Sequence, residues 1–141
     1  MKILLVKTSS LGDVVHNLPV ASDLRASFPQ VRIDWVVEEG FADIPRLHPA
    51  VSKVIPVAVR RWRRTLLSPA TWGKLRAYRE AVRAEKYDLV LDTQGLIKSA
   101  LLARQAPLTS ADQVALVDLV VSEIFGLPRL LTVLRDPQVT D

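Results

Sequence analysis

Six consecutive residues, Thr8-Ser9-Ser10-Leu11-Gly12-Asp13, bring three hydroxyls, one glycine and one carboxylate into a single short loop. Hydroxyls and a carboxylate can hydrogen-bond a polar substrate, glycine lets backbone approach it, and a loop that opens a helix adds free backbone N–H groups. Asp13 is equally suited to capping that helix, a role Asp prefers and that is worth about 1 kcal/mol. Spacing leaves both readings open. The apolar run Lys2 to Val6 (KILLV) precedes the loop and Val14-Val15-His16-Asn17-Leu18-Pro19 follows it, so the loop joins a strand to a helix. A Leu and β-branched run without alternation suits a strand covered on both faces, and parallel α/β sheets bind ligands beyond the carboxyl ends of such strands.

A second concentration of chemistry is electrostatic. The chain has 19 Lys and Arg against 15 Asp and Glu, a net charge of +4, and Arg60-Arg61-Trp62-Arg63-Arg64 packs four cations into five positions. Like charges this close repel unless something neutralises them. The run therefore points to an anionic partner (nucleic acid, acidic lipid, or a phosphorylated or carboxylated substrate) rather than to a merely solvated loop.

Other chemistries find little support. No G-x-G-x-x-G follows the first strand and no G-x-x-x-x-G-K-[ST] occurs, which argues against dinucleotide and P-loop sites. Asp13 and Asp92 do not form the acidic pocket of a response regulator. There is no cysteine, and His16 and His48 lie far apart, so disulfides, thiolate ligands and a structural metal are not expected. No apolar stretch approaches the roughly 20 residues of a membrane span, and the start is too short for a secretion signal. A cytoplasmic protein is the expectation.

The elements that must position these residues alternate. Asp13 to Phe28 has helical apolar spacing, with Pro19 kinking it. Val31 to Val37 is a strand, and Val51 to Val59 another that Pro56 weakens. Ser68-Pro69 opens a helix running through Trp72 to Tyr87. Asp88 to Asp92 is a short strand, and Thr93-Gln94-Gly95 turns into a helix over Leu96 to Arg104. This order predicts an α/β doubly wound sheet with parallel strands at 2–7, 31–37, 53–58 and 88–92. After Pro107, Ser110-Ala111-Asp112-Gln113 reads as a capping box opening an apolar helix through Phe125, closed by Gly126 and Pro128.

Four ordered blocks then carry a resemblance: Lys7 to Pro19 (KTSSLGDVVHNLP), Asp34 to Ala42 (DWVVEEGFA), Val54 to Ala58 leading into Arg60 to Arg63 (VIPVA, RRWR), and Asp92 to Ala100 (DTQGLIKSA). Together they resemble the amino-terminal half of the lipopolysaccharide heptosyltransferase I family of glycosyltransferase family 9. The resemblance implies the Rossmann-like amino-terminal domain of a GT-B glycosyltransferase. Such an enzyme moves L-glycero-D-manno-heptose from ADP-heptose to a Kdo sugar of Kdo2-lipid A with inversion, without a metal or other cofactor. It further implies Asp13 as catalytic base, Arg60, Arg61 and Arg64 as contacts to the carboxylated and phosphorylated acceptor, and Ser9, Ser10, Gly12, Gln94 and Lys98 around the substrate. His16, Glu38 and Glu39 are expected to be structural, and Trp35, Trp62 and Trp72 to pack, with contact to acceptor or membrane the alternative for Trp62 within the arginine run.

The resemblance covers residues 1–105, the expected acceptor-binding domain. Residues 106–141 depart from it and are expected to form a divergent apolar helical tail, with the donor-binding carboxyl-terminal domain absent. The expected setting is the cytoplasmic face of the inner membrane of a Gram-negative bacterium, with peripheral membrane contact, Kdo2-lipid A as partner, no nucleic acid, and a monomeric chain of little activity alone. Two other readings compete: a stand-alone anion-binding α/β module for anionic lipid or nucleic acid, and a non-functional remnant.

Overall fold

The computed structural model describes residues 1–65, 67–94, 96–108 and 114–116. Five parallel strands, β1 (Lys2–Val6), β2 (Arg32–Glu38), β3 (Val51–Val57), β4 (Leu89–Asp92) and β5 (Val114–Leu116), form one sheet in the order β3-β2-β1-β4-β5. The chain first winds outward from β1 to β3, then crosses back over β1 to β4 and β5. A topological switch point therefore lies between β1 and β4, where open α/β sheets place their ligands.

Helices α1 (Leu11–His16), α2 (Leu18–Ser27) and α3 (Asp43–Arg46) come between the strands of the first winding. Helices α4 (Val59–Trp62), α5 (Pro69–Arg83) and α6 (Ile97–Ala103) belong to the return. Burial explains why the strands read as unbroken apolar runs. Ile3, Leu5, Ile33, Trp35 and Val37 pack with Val14, Val20, Ala21 and Leu24 on one face. Their neighbours Leu4, Val6, Val36, Ile55 and Val57 pack with Trp62, Tyr78, Val82 and Leu102 on the other. Successive strand residues point to opposite faces, so a sheet covered twice needs apolar residues at every position. Each large aliphatic chain buried there contributes roughly 1.5–3 kcal/mol.

The expected parallel strands are present, with differences at their ends and between them. The single kinked helix over Asp13 to Phe28 is two helices parted at Asn17, with Pro19 in the first turn of α2, a position where its missing N–H costs nothing. The third strand stops at Val57, and the arginine run begins a helical turn, α4. The helix expected from Ser110 to Phe125 is corrected at Val114–Leu116, which pair with Val90, Leu91 and Asp92 as β5. The unpaired edge of β4 offers a row of backbone hydrogen bonds that outweighs a local capping pattern. The remainder of the expected tail helix lies outside the described residues.

Candidate active site at the carboxyl ends of the strands

Four strands end on one small cleft. Thr8 and Ser9 follow β1, Glu38 ends β2, Val59, Arg60 and Arg63 follow β3, and Gln94 and Leu96 follow β4; together they line a cavity of about 90 Å³. Parallel strands bring all their carboxyl ends to one edge, which is how residues almost ninety positions apart in sequence come together.

The floor is held by buried polar contacts. Lys7 is almost fully enclosed; its Nζ donates to the Thr93 carbonyl at 3.1 Å, and its own carbonyl accepts the Trp35 indole N–H at 3.2 Å. Glu38, 7 % exposed, accepts from the backbone N–H groups of Val59 at 3.2 Å and Arg60 at 3.3 Å. A carboxylate there satisfies the open donors at the start of α4 and fixes the direction in which Arg60 leaves the backbone. Glu39 pairs with Arg61, Oε2 to Nη2 at 3.0 Å. The structural roles expected of Glu38 and Glu39 are thus both seen.

Asp13 is exposed in the first turn of α1 and is not among the residues lining the cleft. Its Oδ2 accepts from the Ser10 backbone N–H at 2.6 Å and the Ser10 hydroxyl at 3.0 Å, leaving Oδ1 open among the described residues. The first contact is the return half of a capping box in which Ser10 is the N-cap and Asp13 the third helical residue, so Asp13 supports the cap from the first turn instead of being the cap residue that its spacing suggested. The Ser10 backbone N–H is the chief cause that holds the Asp13 carboxyl below its ordinary value; desolvation opposes it, and the Ser10 hydroxyl, Lys7 and His16 add smaller help. The group is a carboxylate at neutral pH. A Cβ built on Gly12 would meet nothing within 4 Å, so the space beside Asp13 is open to a ligand.

The other expected site residues divide. Arg60 lies in the cleft, Arg61 turns to Glu39, and Arg64 is exposed and does not line the cavity. Ser9 meets Gln94, and Ser10 meets Asp13. Lys98 falls in α6 with its side chain outside the described residues, and Gly95 also lies outside them. His16 is exposed at the end of α1, Trp35 and Trp62 are buried as expected, and Trp72, expected to pack, is 63 % exposed. Arg63 and Lys7 were not singled out from sequence. Arg63 stands three residues after Arg60, the spacing that puts two side chains on one face once the run is helical. Lys7, a cation closing an apolar strand, carried no signal that separates an inward-turned amine from a solvated one.

The cleft offers cationic groups and ordered backbone at the mouth of a parallel sheet, and the exposed Asp13 carboxylate follows on from the Thr8–Ser9 wall, a set that suits an anionic, hydroxyl-bearing ligand. Among the described residues no cluster of His, Cys, Asp and Glu could hold a metal ion, and no helix is long and apolar enough to cross a membrane.

Known proteins share part of this sequence and fold. A model of glycosyltransferase family 9 (heptosyltransferase) matches residues 75–113. Lipopolysaccharide heptosyltransferase 1 of Pseudomonas aeruginosa is 55% identical over 104 residues, 74% of this chain and 29% of its own length. The solved E. coli heptosyltransferase WaaC with ADP is 52% identical with a TM-score of 0.74, over 77% of this chain and 34% of that one. WaaC with ADP-2-deoxy-2-fluoro heptose superposes with the same TM-score, 0.74, at 48% identity, over 80% of this chain and 38% of that one. The chain spans about a third of the length of the relatives it matches.

Proposed function

We propose, from the premise that this chain shares the sequence and fold of part of the heptosyltransferases of glycosyltransferase family 9, that it is the acceptor-binding half of a heptosyltransferase of the lipopolysaccharide inner core. The observation that carries this reading is the exposed carboxylate of Asp13 in a loop adjoining a cleft lined by Arg60 and Arg63. The donor, ADP-heptose, would be held by a further domain of the kind that the relatives' additional length provides.

In the proposed reaction a Kdo hydroxyl attacks the anomeric carbon of heptose. The bond from that carbon to the diphosphate oxygen breaks, its electron pair leaves with ADP, and one displacement inverts the centre. The hydroxyl proton passes to Asp13, whose Oδ1 is open. A carboxyl held below its ordinary value is a weak base toward a free hydroxyl, so transfer comes late, once bond formation has made that proton acidic. No metal enters the step. The guanidiniums of Arg60 and Arg63 pair with the acceptor's carboxylate or phosphate oxygens, with Arg61 and Arg64 nearby on the same turn. Ser9, Ser10 and Gly12 shape the wall on the Asp13 side, and Lys98 adds a cation from α6.

The acceptor is a lipid, so the working place would be the cytoplasmic face of the inner membrane, reached by peripheral contact of a monomer. Leu67, 98 % exposed, and Trp72, 63 % exposed beside Arg76 and Arg79, support that contact, because an amphipathic aromatic beside cations suits a headgroup layer. Saturation-transfer NMR on the chain is the test. Signals on Kdo-bearing fragments of the acceptor, and weak or absent ones on plain anionic lipid and DNA, support the proposal. Equal signals on all three, falling steeply with salt, would instead make the chain a general anion-binding module.

A further inference from the structure

Gln94 makes an unusual number of contacts for one amide. Its Oε1 accepts from the Thr8 backbone N–H at 2.7 Å, the Thr8 hydroxyl at 2.6 Å and the Ser9 backbone N–H at 3.3 Å. Its Nε2 donates to the Ser9 carbonyl at 2.8 Å and the Ser9 hydroxyl at 3.2 Å. An amide offers two donor hydrogens and two acceptor lone pairs, and all are engaged here, leaving none for a sugar. The residue is itself anchored: its backbone N–H donates to Asp92 Oδ1 at 2.9 Å, at the end of a strand paired with β1.

We infer that Gln94 is a positioning residue, a clamp that reads the backbone of Thr8 and Ser9 and so fixes the loop from which Ser10 presents Asp13. This rests on the reading of Asp13 as base for its catalytic meaning, but the clamp itself stands on geometry. Apart from Gln94 the loop is tied at its ends, where the Val14 N–H of α1 donates to the Ser10 carbonyl at 3.0 Å. The Thr8 carbonyl accepts the Glu38 N–H at 3.0 Å, and beyond that point Ser9 turns toward the cleft and Ser10 to Asp13. Without the clamp, the two-donor grip of Ser10 on Asp13 Oδ2 becomes one arrangement among several, and the carboxylate loses its fixed direction. A substrate contact would place Gln94 on the ligand; a clamp places it on the protein and acts on Asp13 two steps away.

The test uses the full chain without ligand, so that its outcome is separate from whether the acceptor binds. Gln94→Leu removes every amide contact at similar bulk. Amide exchange at Thr8, Ser9 and Ser10 should quicken by about tenfold, the effect of losing one or two net hydrogen bonds. The carbon-13 titration of the Asp13 carboxyl should move up toward an ordinary aspartate, while the melting temperature changes little. Gln94→Glu is the second variant: it keeps the acceptor oxygen but turns an oxygen, in place of the NH2, toward the Ser9 carbonyl. Lys7 just after β1, Glu38 from β2, Arg60 from α4, Arg63 just after it and Asp92 from β4 are the charged groups at this end of the sheet that face the carboxyl introduced at position 94. Slow exchange should return as pH falls and that group takes a proton to donate to Ser9. Unchanged exchange and an unchanged Asp13 titration in Gln94→Leu would overturn the clamp, including the case in which that variant only weakens acceptor binding, since Gln94 would then be a direct contact. A Gln94→Leu chain that fails to fold leaves Gln94→Glu to decide, where protection relative to the intrinsic exchange rate that equals the parent's at every pH would overturn the clamp.

Discussion

At the amino end of the sheet, polar side chains close on one another. Lys2 pairs with Glu85, Glu85 with Arg32 at 3.3 Å, Arg32 with Asp34 at 3.5 Å, and Asp34 accepts the buried Tyr87 hydroxyl at 2.9 Å. The Lys2 backbone N–H adds a bond to Asp88 at 2.7 Å. At the carboxyl end, apart from the exposed Arg61–Glu39 pair, the anchoring side chains meet backbone instead. Glu38 takes two N–H groups, Lys7 a carbonyl and Gln94 both, while Arg60, Arg63 and one oxygen of Asp13 stay available to a ligand. The difference lies in what each charge is paired with. Charges paired with each other staple strands and have no valence left for a partner; charges held by backbone are aimed, and keep theirs. Carboxyl groups record it too. Glu85 is held below its ordinary value chiefly by the Lys2 ammonium, with Arg32 next, whereas Asp13 is held down chiefly by a backbone N–H.

Asp13→Asn should break the comparison most sharply. In a protein that includes the donor half, turnover should fall by about three orders of magnitude, in the range for loss of a general base. Stability should change by less than about 1 kcal/mol, because an amide oxygen at this position can still accept the Ser10 backbone N–H. Turnover within a few fold of the parent would return Asp13 to capping alone. Next in size, Arg60→Ala with Arg63→Ala should weaken the acceptor by about ten- to hundredfold, the loss of one or two charge-assisted hydrogen bonds. Titration calorimetry reads this directly, and a smaller change for that pair than for Arg61→Ala would mean that the cleft is not where the anion sits. The reverse is expected at the other end. Tyr87→Phe leaves a buried Asp34 oxygen without its hydroxyl, at a cost of about 1–3 kcal/mol, and should lower the melting temperature by a few degrees with acceptor affinity untouched.

How far the sequence foretold these two ends differs for the same reason. The parallel sheet was legible because unbroken apolar runs between helical patterns have few other solutions, and Asp13 because loop, glycine and carboxylate are contiguous. The cleft's walls were legible only as separate pieces. Arg60 could be named from its charge run, but Arg63 shares its cavity only because the run winds into α4, and Arg61 is drawn away by Glu39. Gln94 could be marked as a residue near the site; that its amide faces Thr8 and Ser9 depends on the β1–β4 register, a long-range pairing without local trace. Val114–Leu116 failed for a similar reason, since a capping pattern is local and the open edge of β4 is not. At the amino end, Lys2, Arg32, Asp34, Glu85 and Tyr87 are spread over more than eighty positions, and nothing in their spacing announces a cluster.

The smallest expected effect is on pH dependence, and it separates the two ends most cleanly. Asp13 and Glu85 both have carboxyl groups lowered in the folded chain. A lowered folded value means that the unfolded chain binds the proton first on acidification. Each group's contribution to stability is therefore complete above its unfolded value, about 3.9 for Asp and 4.3 for Glu, and is lost as pH falls through the folded one. Melting curves collected downward from pH 6 should decline from about pH 4, and the decline should be shallower in Asp13→Asn and in Glu85→Gln, because neither substitute titrates. Both groups reach solvent, so each difference will be slight. Acceptor then tells them apart. If Asp13 receives the substrate's hydroxyl proton, a bound Kdo fragment donating to its open oxygen should lower the carboxyl's titration further, since a hydrogen bond to the charged form favours that form. Glu85, at the opposite end of the strands, should titrate as before. A shift at Glu85, or the same midpoint at Asp13 with and without a saturating fragment, would show that the ligand does not reach Asp13, and the base would then have to be sought among the residues that line the cleft.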